Sequence, residues 1–299
     1  MTQGTASFFQ IAAGGRVNTP EEWHGYFEAF HAQLPHANEL FTLMCNYGGL
    51  TSYRVLAEAA AASGPRTVLD LGCGDGNLIE ELLDVTDDRV RIDGIDISEA
   101  EIAIAANRYA GEERVALRVA DARSLPYEAA SFDCVVAHQF LNLFPDIAGV
   151  RSEAERVLRP GRTLSFVANR GWRDDQTATW MVLHHAAMDV IKQQYPNFVW
   201  PRMGDMRIYT EDGIREIFAE SGAWDVETLS MQTFNTMTMM TPDRVAAFYN
   251  RLYVFGTAPP PLKDGILSAV EARGRELAQG DLLEIELPFR LVTIARSAA

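Results

Sequence analysis

Short apolar runs alternate with longer amphipathic ones along this chain, and most of the apolar runs end on a polar side chain. Val68-Leu69-Asp70-Leu71 predicts a strand. It breaks at Gly72-Cys73-Gly74-Asp75-Gly76-Asn77 into the helical pattern Leu78-Ile79-Glu80-Glu81-Leu82-Leu83. Val90 to Ile97 predicts a second strand, and Ser98 with Glu101 has capping-box spacing, so a helix starts just past Asp96. Val115 to Ala120, Phe132 to Ala137 and Thr163 to Ala168 read as three more strands. The first of these ends at Asp121-Ala122-Arg123 and the next at His138-Gln139. Strands alternating with helices imply a parallel sheet whose strand ends share one edge, so Asp70, Asp96, Asp121 and His138 converge although far apart in sequence.

Outside these strands the period is helical. Thr19-Pro20-Glu21-Glu22 combines an N-cap, a first-position proline and an acid at the third helical position. Trp23, Tyr26, Phe27 and Phe30 then form an aromatic face that either packs on the core or lines a substrate pocket. With helices over 38–45 and 52–62, residues 1–64 read as an N-terminal helical lid and 65–170 as a ligand-binding core. Residues 171–209 read as a cap insertion, comprising a helix over 177–191 and the arginine- and aromatic-rich stretch Trp200 to Tyr209. The rest, 210–299, returns to the core through a helix over 211–220 and strands over 225–234 and 283–296, interrupted by a helical insertion at about 235–282. That insertion, with a helix near 244–253, is either more cap or an oligomer contact, which leaves a homodimer open. Pro259-Pro260-Pro261 reads as a loop.

A hydrophobic content of 47% over 299 residues supports a sizeable core. The net charge of −15 opposes a nonspecific nucleic-acid footprint, so no nucleic-acid partner is expected. Cys45, Cys73 and Cys134 are widely spaced and form no metal-like pair, so neither a disulfide framework nor a metal site is expected. There is no basic leader and no long apolar run, so a cytoplasmic protein without a membrane partner is the expectation.

Three alternating glycines at a helix start allow positive φ and bring backbone amides close to a ligand. Asn77 stands where the dinucleotide pattern Gly-x-Gly-x-x-Gly requires its third glycine, which disfavours an NAD site. Asp70, at the strand's end, suits an ammonium group better than a pyrophosphate. Asp96 lies 24 residues past Gly72, where a carboxylate commonly holds a ribose diol.

Together with Asp121-Ala122, Ser131-Phe132-Asp133 and Leu158-Arg159-Pro160-Gly161, these residues resemble a class I S-adenosylmethionine-dependent methyltransferase of the small-molecule type, over about 50–170. The resemblance implies an α/β fold, a doubly wound Rossmann-like sheet of seven strands in the order 3-2-1-4-5-7-6 with the last strand antiparallel. It implies S-adenosylmethionine as cofactor and S-adenosylhomocysteine as product. It also implies that Asp70 and the amides from Gly72 to Gly76, Cys73 and Gly74 among them, hold the methionine part, that Asn77 too belongs to the cofactor site, and that Asp96 accepts both ribose hydroxyls. Ile97 would pack on adenine, Asp121 and the Ala122 amide would read its polar edge, and Ala137 and His138 would lie beside the sulfonium and ribose. Two departures stand out: Leu141-Asn142-Leu143-Phe144 lacks the histidine pair of many small-molecule members, and Pro160-Gly161-Arg162 replaces Pro-Gly-Gly.

Methyl transfer from a sulfonium is an in-line displacement that needs position and a dry pocket, not a nucleophilic side chain. The partner implied is a small-molecule acceptor. Tyr26, Phe30 and Trp172 are candidate contacts for it. Arg170, Arg202 and Arg207 either bind a carboxylated metabolite, such as an amino or keto acid, or sit in ordinary ion pairs. If the acceptor must lose a proton, His31, His138 and Tyr26 are candidate bases, and none is assigned. A quinone or other apolar ring is the alternative acceptor. In other classes stand an NAD-dependent oxidoreductase, for which no Tyr-x-x-x-Lys is present, and a non-catalytic cofactor-binding regulator.

Overall fold

A computed structural model of the chain describes residues 3–33, 39–170, 178–252, 255 and 257–298. They divide into two compact units. The first, the core unit, comprises Cys45–Gly171, Gly204–Phe234 and Pro288–Ala299. Its strands are β1 (Thr67–Leu71), β2 (Arg91–Asp96), β3 (Val115–Val119), β4 (Phe132–His138) and β5 (Leu158–Asn169). With β6 (Trp224–Met240) and β7 (Leu283–Arg296) they form one seven-stranded sheet in the order β3-β2-β1-β4-β5-β7-β6. The first five strands pair in parallel and β7 runs antiparallel to β5, the topology the resemblance implied. All seven residues of β4 are buried, as a central strand covered on both faces must be.

Helices α4 (Ser52–Ala62), α5 (Asn77–Val85), α6 (Glu99–Arg108), α7 (Ile147–Val157) and α9 (Glu211–Ala219) also belong to this unit. The sequence placed α4 in the lid. It packs instead against α5, β4 and β5, and Arg54 on it pairs with Glu81 (3.2 Å) and with Asp84 on α5.

The segment Ser131-Phe132-Asp133 sets the register of β4 against β1. The Asp133 carboxylate accepts the amides of Arg66 at 2.9 Å and Thr67 at 3.2 Å, and the Asp133 amide donates to Thr67 Oγ1 at 3.0 Å. Burial pushes this carboxyl up, but the Arg66 amide and the guanidinium of Arg159 outweigh it and hold it below the ordinary value of 3.8. The stability Asp133 contributes is therefore present above that value and lost as pH falls through the lowered one. Asp133→Ala is expected to cost about 2 kcal/mol at neutral pH and to flatten the acid limb of the stability profile, measured by urea unfolding between pH 3 and 7. An unchanged midpoint at neutral pH would remove this anchoring role.

The second unit comprises Met1–Met44, Trp172–Met203 and Asn235–Leu287. Helices α1 (Gln3–Ala13) and α2 (Pro20–Gln33) meet through Phe8, whose ring stacks on Tyr26 at 4.1 Å and tilts against Trp23 at 5.7 Å. A short helix α3 (Glu39–Leu43) follows. Helices α8 (Thr179–Gln194), α10 (Pro242–Tyr249) and α11 (Pro260–Leu277) pack together: Gly265 of α11 lies under Val190 of α8 and Gly274 under Pro242 of α10. The triproline read as a loop is a helix start, because a proline in the first turn gives up only an amide that has no helical partner. The domain boundaries expected from sequence shift accordingly. Residues 45–64 and 204–209 join the core unit, while 235–287 joins 1–44 and 172–203.

Among the described residues no helix is long and apolar enough to cross a membrane, and no group of three acids, histidines or cysteines could hold a metal ion.

Candidate functional site

The site lies in the core unit, at the carboxyl edge of β1, β2 and β4. Asp70 sits in β1 opposite Gly94 of β2 and Val136 of β4. It is only 1% exposed, and its Oδ2 has no hydrogen-bond partner. Burial, and then the charge of Asp96, push its carboxyl well above the usual range. A buried carboxylate oxygen without a partner is costly and asks for a cationic ligand.

Asp96 ends β2 and organises the glycine loop. Its Oδ2 accepts the Gly74 amide at 3.0 Å and its Oδ1 accepts the Ser98 amide at 2.9 Å. Ser98 Oγ accepts the Glu101 amide, completing the expected helix start.

The loop corrects one expectation. The amides of Gly72 and Cys73 both donate to Ile95 O at 2.9 Å, Gly74 donates to Asp96, and Gly76 donates to Cys73 O at 3.0 Å. Three of these amides hold the loop onto β2, the fourth closes the loop on itself, and none of the four stands ready for a ligand's carboxylate. Two of the glycines answer to neighbouring rings as well as to φ. A Cβ at Gly72 (φ +70°) would lie 2.1 Å from Phe140 Cδ2, and one at Gly76 (φ +92°) would lie 2.5 Å from Tyr109 Cε2. Asn77 is spent similarly, donating to Asp75 Oδ1 at 2.6 Å and accepting Arg108 at 2.9 Å.

His138 ends β4. Its Nε2 is 2.8 Å from Ser52 Oγ, and its ring stacks on Tyr53 at 3.8 Å and 28°. Burial pulls its pKa down to about 3, so it is neutral across the physiological range and a poor general base. Ala137, one residue earlier, faces the apolar core among Leu69, Leu71 and Leu141 and not the ligand edge, because successive strand residues point to opposite faces. Ser52 and Tyr53 join the site from the first turn of α4. Sequence reasoning missed them, having only a helical period there to read.

Past β4 the chain turns through Gln139, which holds φ +51°, is buried and donates from Nε2 to Asn169 Oδ1 at 3.2 Å. A non-glycine residue in this region, at the end of a central strand, is the kind of strain found where a chain is built around a ligand. No sequence signal marks it. Asn142 follows, buried, with its Oδ1 unpartnered. Half-buried Phe140 and Phe144 meet edge to face at 4.9 Å beside it.

Of the adenine-edge candidates, Ile97 is half-buried, Ala122 is buried, and Asp121 is held in a two-pronged contact by Arg123, at 2.7 Å from NH2 to Oδ2. The candidate substrate contacts fare differently. Arg207 is saturated by Asp205 (2.7 Å), Glu216 (3.1 Å) and Glu220, so its fork is a structural clasp and offers nothing to a ligand carboxylate. Arg170 follows β5, half-buried, its amide donating to Pro288 O. In the second unit, Arg202 is exposed and fixed by Asn18, which accepts its amide at 2.8 Å. Tyr26 and Phe30 are each 2% exposed, Tyr26 being stacked on Phe8, which gives the aromatic face a packing role within that unit. Trp172 and the His31 side chain lie outside the described residues.

Residues 69–166 match a family model described as a methyltransferase domain. A 27-O-demethylrifamycin SV methyltransferase of Amycolatopsis mediterranei is 36% identical over 146 residues, 48% of this chain and 49% of that protein. A demethylmenaquinone methyltransferase of Shouchella clausii is 25% identical over 171 residues, 55% of this chain and 73% of that protein. Among solved structures, the YcgJ protein of Bacillus subtilis aligns over 83% of this chain and 99% of its own at a TM-score of 0.54 and 17% identity. The chain spans about half the length of the rifamycin enzyme it matches. Residues 69–166 are thus similar to a methyltransferase domain, and the seven-stranded sheet has the strand order of the class I methyltransferase fold.

Proposed function

We propose that the chain transfers a methyl group from S-adenosylmethionine to a small molecule whose body is an apolar ring. The observation that carries the cofactor half is the buried, unpartnered Oδ2 of Asp70 beside Asp96, which matches the ammonium and the ribose diol of that molecule. When bound, the cofactor supplies an electrophilic methyl group on a sulfonium. The chain's own part is to orient: Asp70 takes the ammonium, Asp96 the two hydroxyls, and Ile97, Ala122 and Asp121 the base.

Two observations favour an apolar acceptor over a carboxylated one. Arg207 is already paired with three acids, and the loop after β4 carries the paired rings of Phe140 and Phe144, with the neutral amide of Asn142 between them in sequence. The rifamycin and demethylmenaquinone enzymes that share its domain lend support from the same side. Of the base candidates, His138 is held neutral by burial and tied to Ser52, and Tyr26 is packed against Phe8. The chemistry therefore rests on position and exclusion of water, with the acceptor entering as its own nucleophile.

Titration calorimetry of the full chain with S-adenosylhomocysteine is expected to show one site per chain with a micromolar dissociation constant. Release of S-adenosylhomocysteine is expected to run faster with a hydroxylated naphthoquinone than with an amino acid. No binding heat would sink the cofactor reading, and the reverse order of acceptors would sink the ring.

A further inference from the structure

The amino-acid tail of the cofactor carries an ammonium and a carboxylate, and the residues described so far answer only the first. Asp70 suits the ammonium. The loop amides at Gly72, Cys73, Gly74 and Gly76, which the family resemblance assigned to the tail, are taken by Ile95, Asp96 and Cys73. The guanidinium groups nearest the loop are also engaged: Arg54 with Glu58, Glu81 and Asp84, and Arg108 with Asn77 and Glu80. A carboxylate bound here draws on a donor other than these four amides and two guanidinium groups.

Resting on the cofactor reading above, we propose that the Tyr53 hydroxyl is that donor and binds the carboxylate of the cofactor's amino-acid tail. Tyr53 is 6% exposed and sits in the first turn of α4, its ring flat against His138. Its hydroxyl lies close enough to Asp75 and Asp70 to feel both charges. The Asn77 side chain is committed to Asp75 and Arg108, so it does not take the phenolic proton, which is left to donate. Burial, with Asp75 and Asp70 close by, raises the hydroxyl's pKa and keeps that proton in place. The first turn of α4 is also held still: Thr51 Oγ1 donates to Glu81 at 3.1 Å, and Ser52 is joined to His138 at 2.8 Å. The hydroxyl therefore needs no ordering when the ligand arrives.

Tyr53→Phe keeps the ring against His138 and removes only the hydroxyl. Calorimetry on the full chain with two probes isolates its role: S-adenosylhomocysteine, which has the tail, and 5′-methylthioadenosine, which lacks it. The variant is expected to bind S-adenosylhomocysteine about tenfold more weakly, as befits one hydrogen bond to a charged group. Its affinity for 5′-methylthioadenosine is expected to match the parent's. Unchanged affinity for S-adenosylhomocysteine overturns the assignment alone, and so does an equal loss for both probes, which would make Tyr53 a packing residue. A parent chain that binds neither probe overturns the cofactor reading and this assignment with it.

Discussion

Asp70→Asn is expected to weaken S-adenosylhomocysteine binding by about a hundredfold and, in the same molecule, to make the ligand-free chain more stable near neutral pH. The affinity loss follows from exchanging a charged partner of the ligand's ammonium for a neutral one, worth about 2–3 kcal/mol in a buried setting. The gain in stability has the opposite origin. In the ligand-free protein the carboxylate is buried with an unpartnered oxygen, and Asp96 on β2, Cys73 in the loop and Tyr53 on α4 surround it without supplying a cation. Burial first and Asp96 second raise its pKa well above the ordinary 3.8. A raised carboxyl favours folding fully below the ordinary value and loses that contribution as pH rises through the raised one. The ligand-free parent is therefore expected to lose stability with rising pH over that window, and the asparagine variant to lack that loss. Cofactor affinity moves the other way, rising with pH in the parent as Asp70 ionises. Scanning calorimetry and ligand titration between pH 5 and 9 test both limbs. A variant that binds as tightly as the parent would remove Asp70 from the site.

Gly72→Ala is expected to destabilise the chain by about 3 kcal/mol. Roughly 1 kcal/mol comes from an alanine forced into left-handed backbone, and about 2 kcal/mol from overpacking. The added Cβ would stand 2.1 Å from Cδ2 and 2.7 Å from Cγ of Phe140, so the ring as a whole must move and not merely its rim. Because Phe140 follows His138 and Gln139 directly, the displacement would be transmitted to the end of β4. Urea unfolding gives the energy, and loss of S-adenosylhomocysteine binding at temperatures where the variant is still folded would show the transmission. Full stability in Gly72→Ala would mean that the loop and the ring are less tightly joined than the geometry indicates.

Much of the core unit was legible because strand, turn and helix are written locally. β1, β2 and β7 fall where the apolar periods place them, and Ser98 caps its helix at the expected spacing. The edge β6 extends to Met240, well past the strand read at 225–234, because exposed edge residues blur the alternation. α4 was read correctly as a helix and assigned to the wrong partner, since nothing in a helix's own sequence says which surface it covers. The arginines show the same limit. Arg207 carries a fork that fits a ligand carboxylate, and only the fold shows Asp205, Glu216 and Glu220 already occupying it.

The sequence by itself determined that a parallel sheet carries acids at its strand ends around a glycine turn, because apolar period, capping and chain breaks are properties of near neighbours. Only the tertiary structure decided what those groups face. It left Asp70 with a bare oxygen and spent the glycine amides on β2 and on the loop itself. It also brought Ser52 and Tyr53 to His138 across 86 and 85 positions of chain. Hydrogen-bond saturation and burial are set by whichever groups folding brings within about 3 Å, and a linear sequence does not contain that distance.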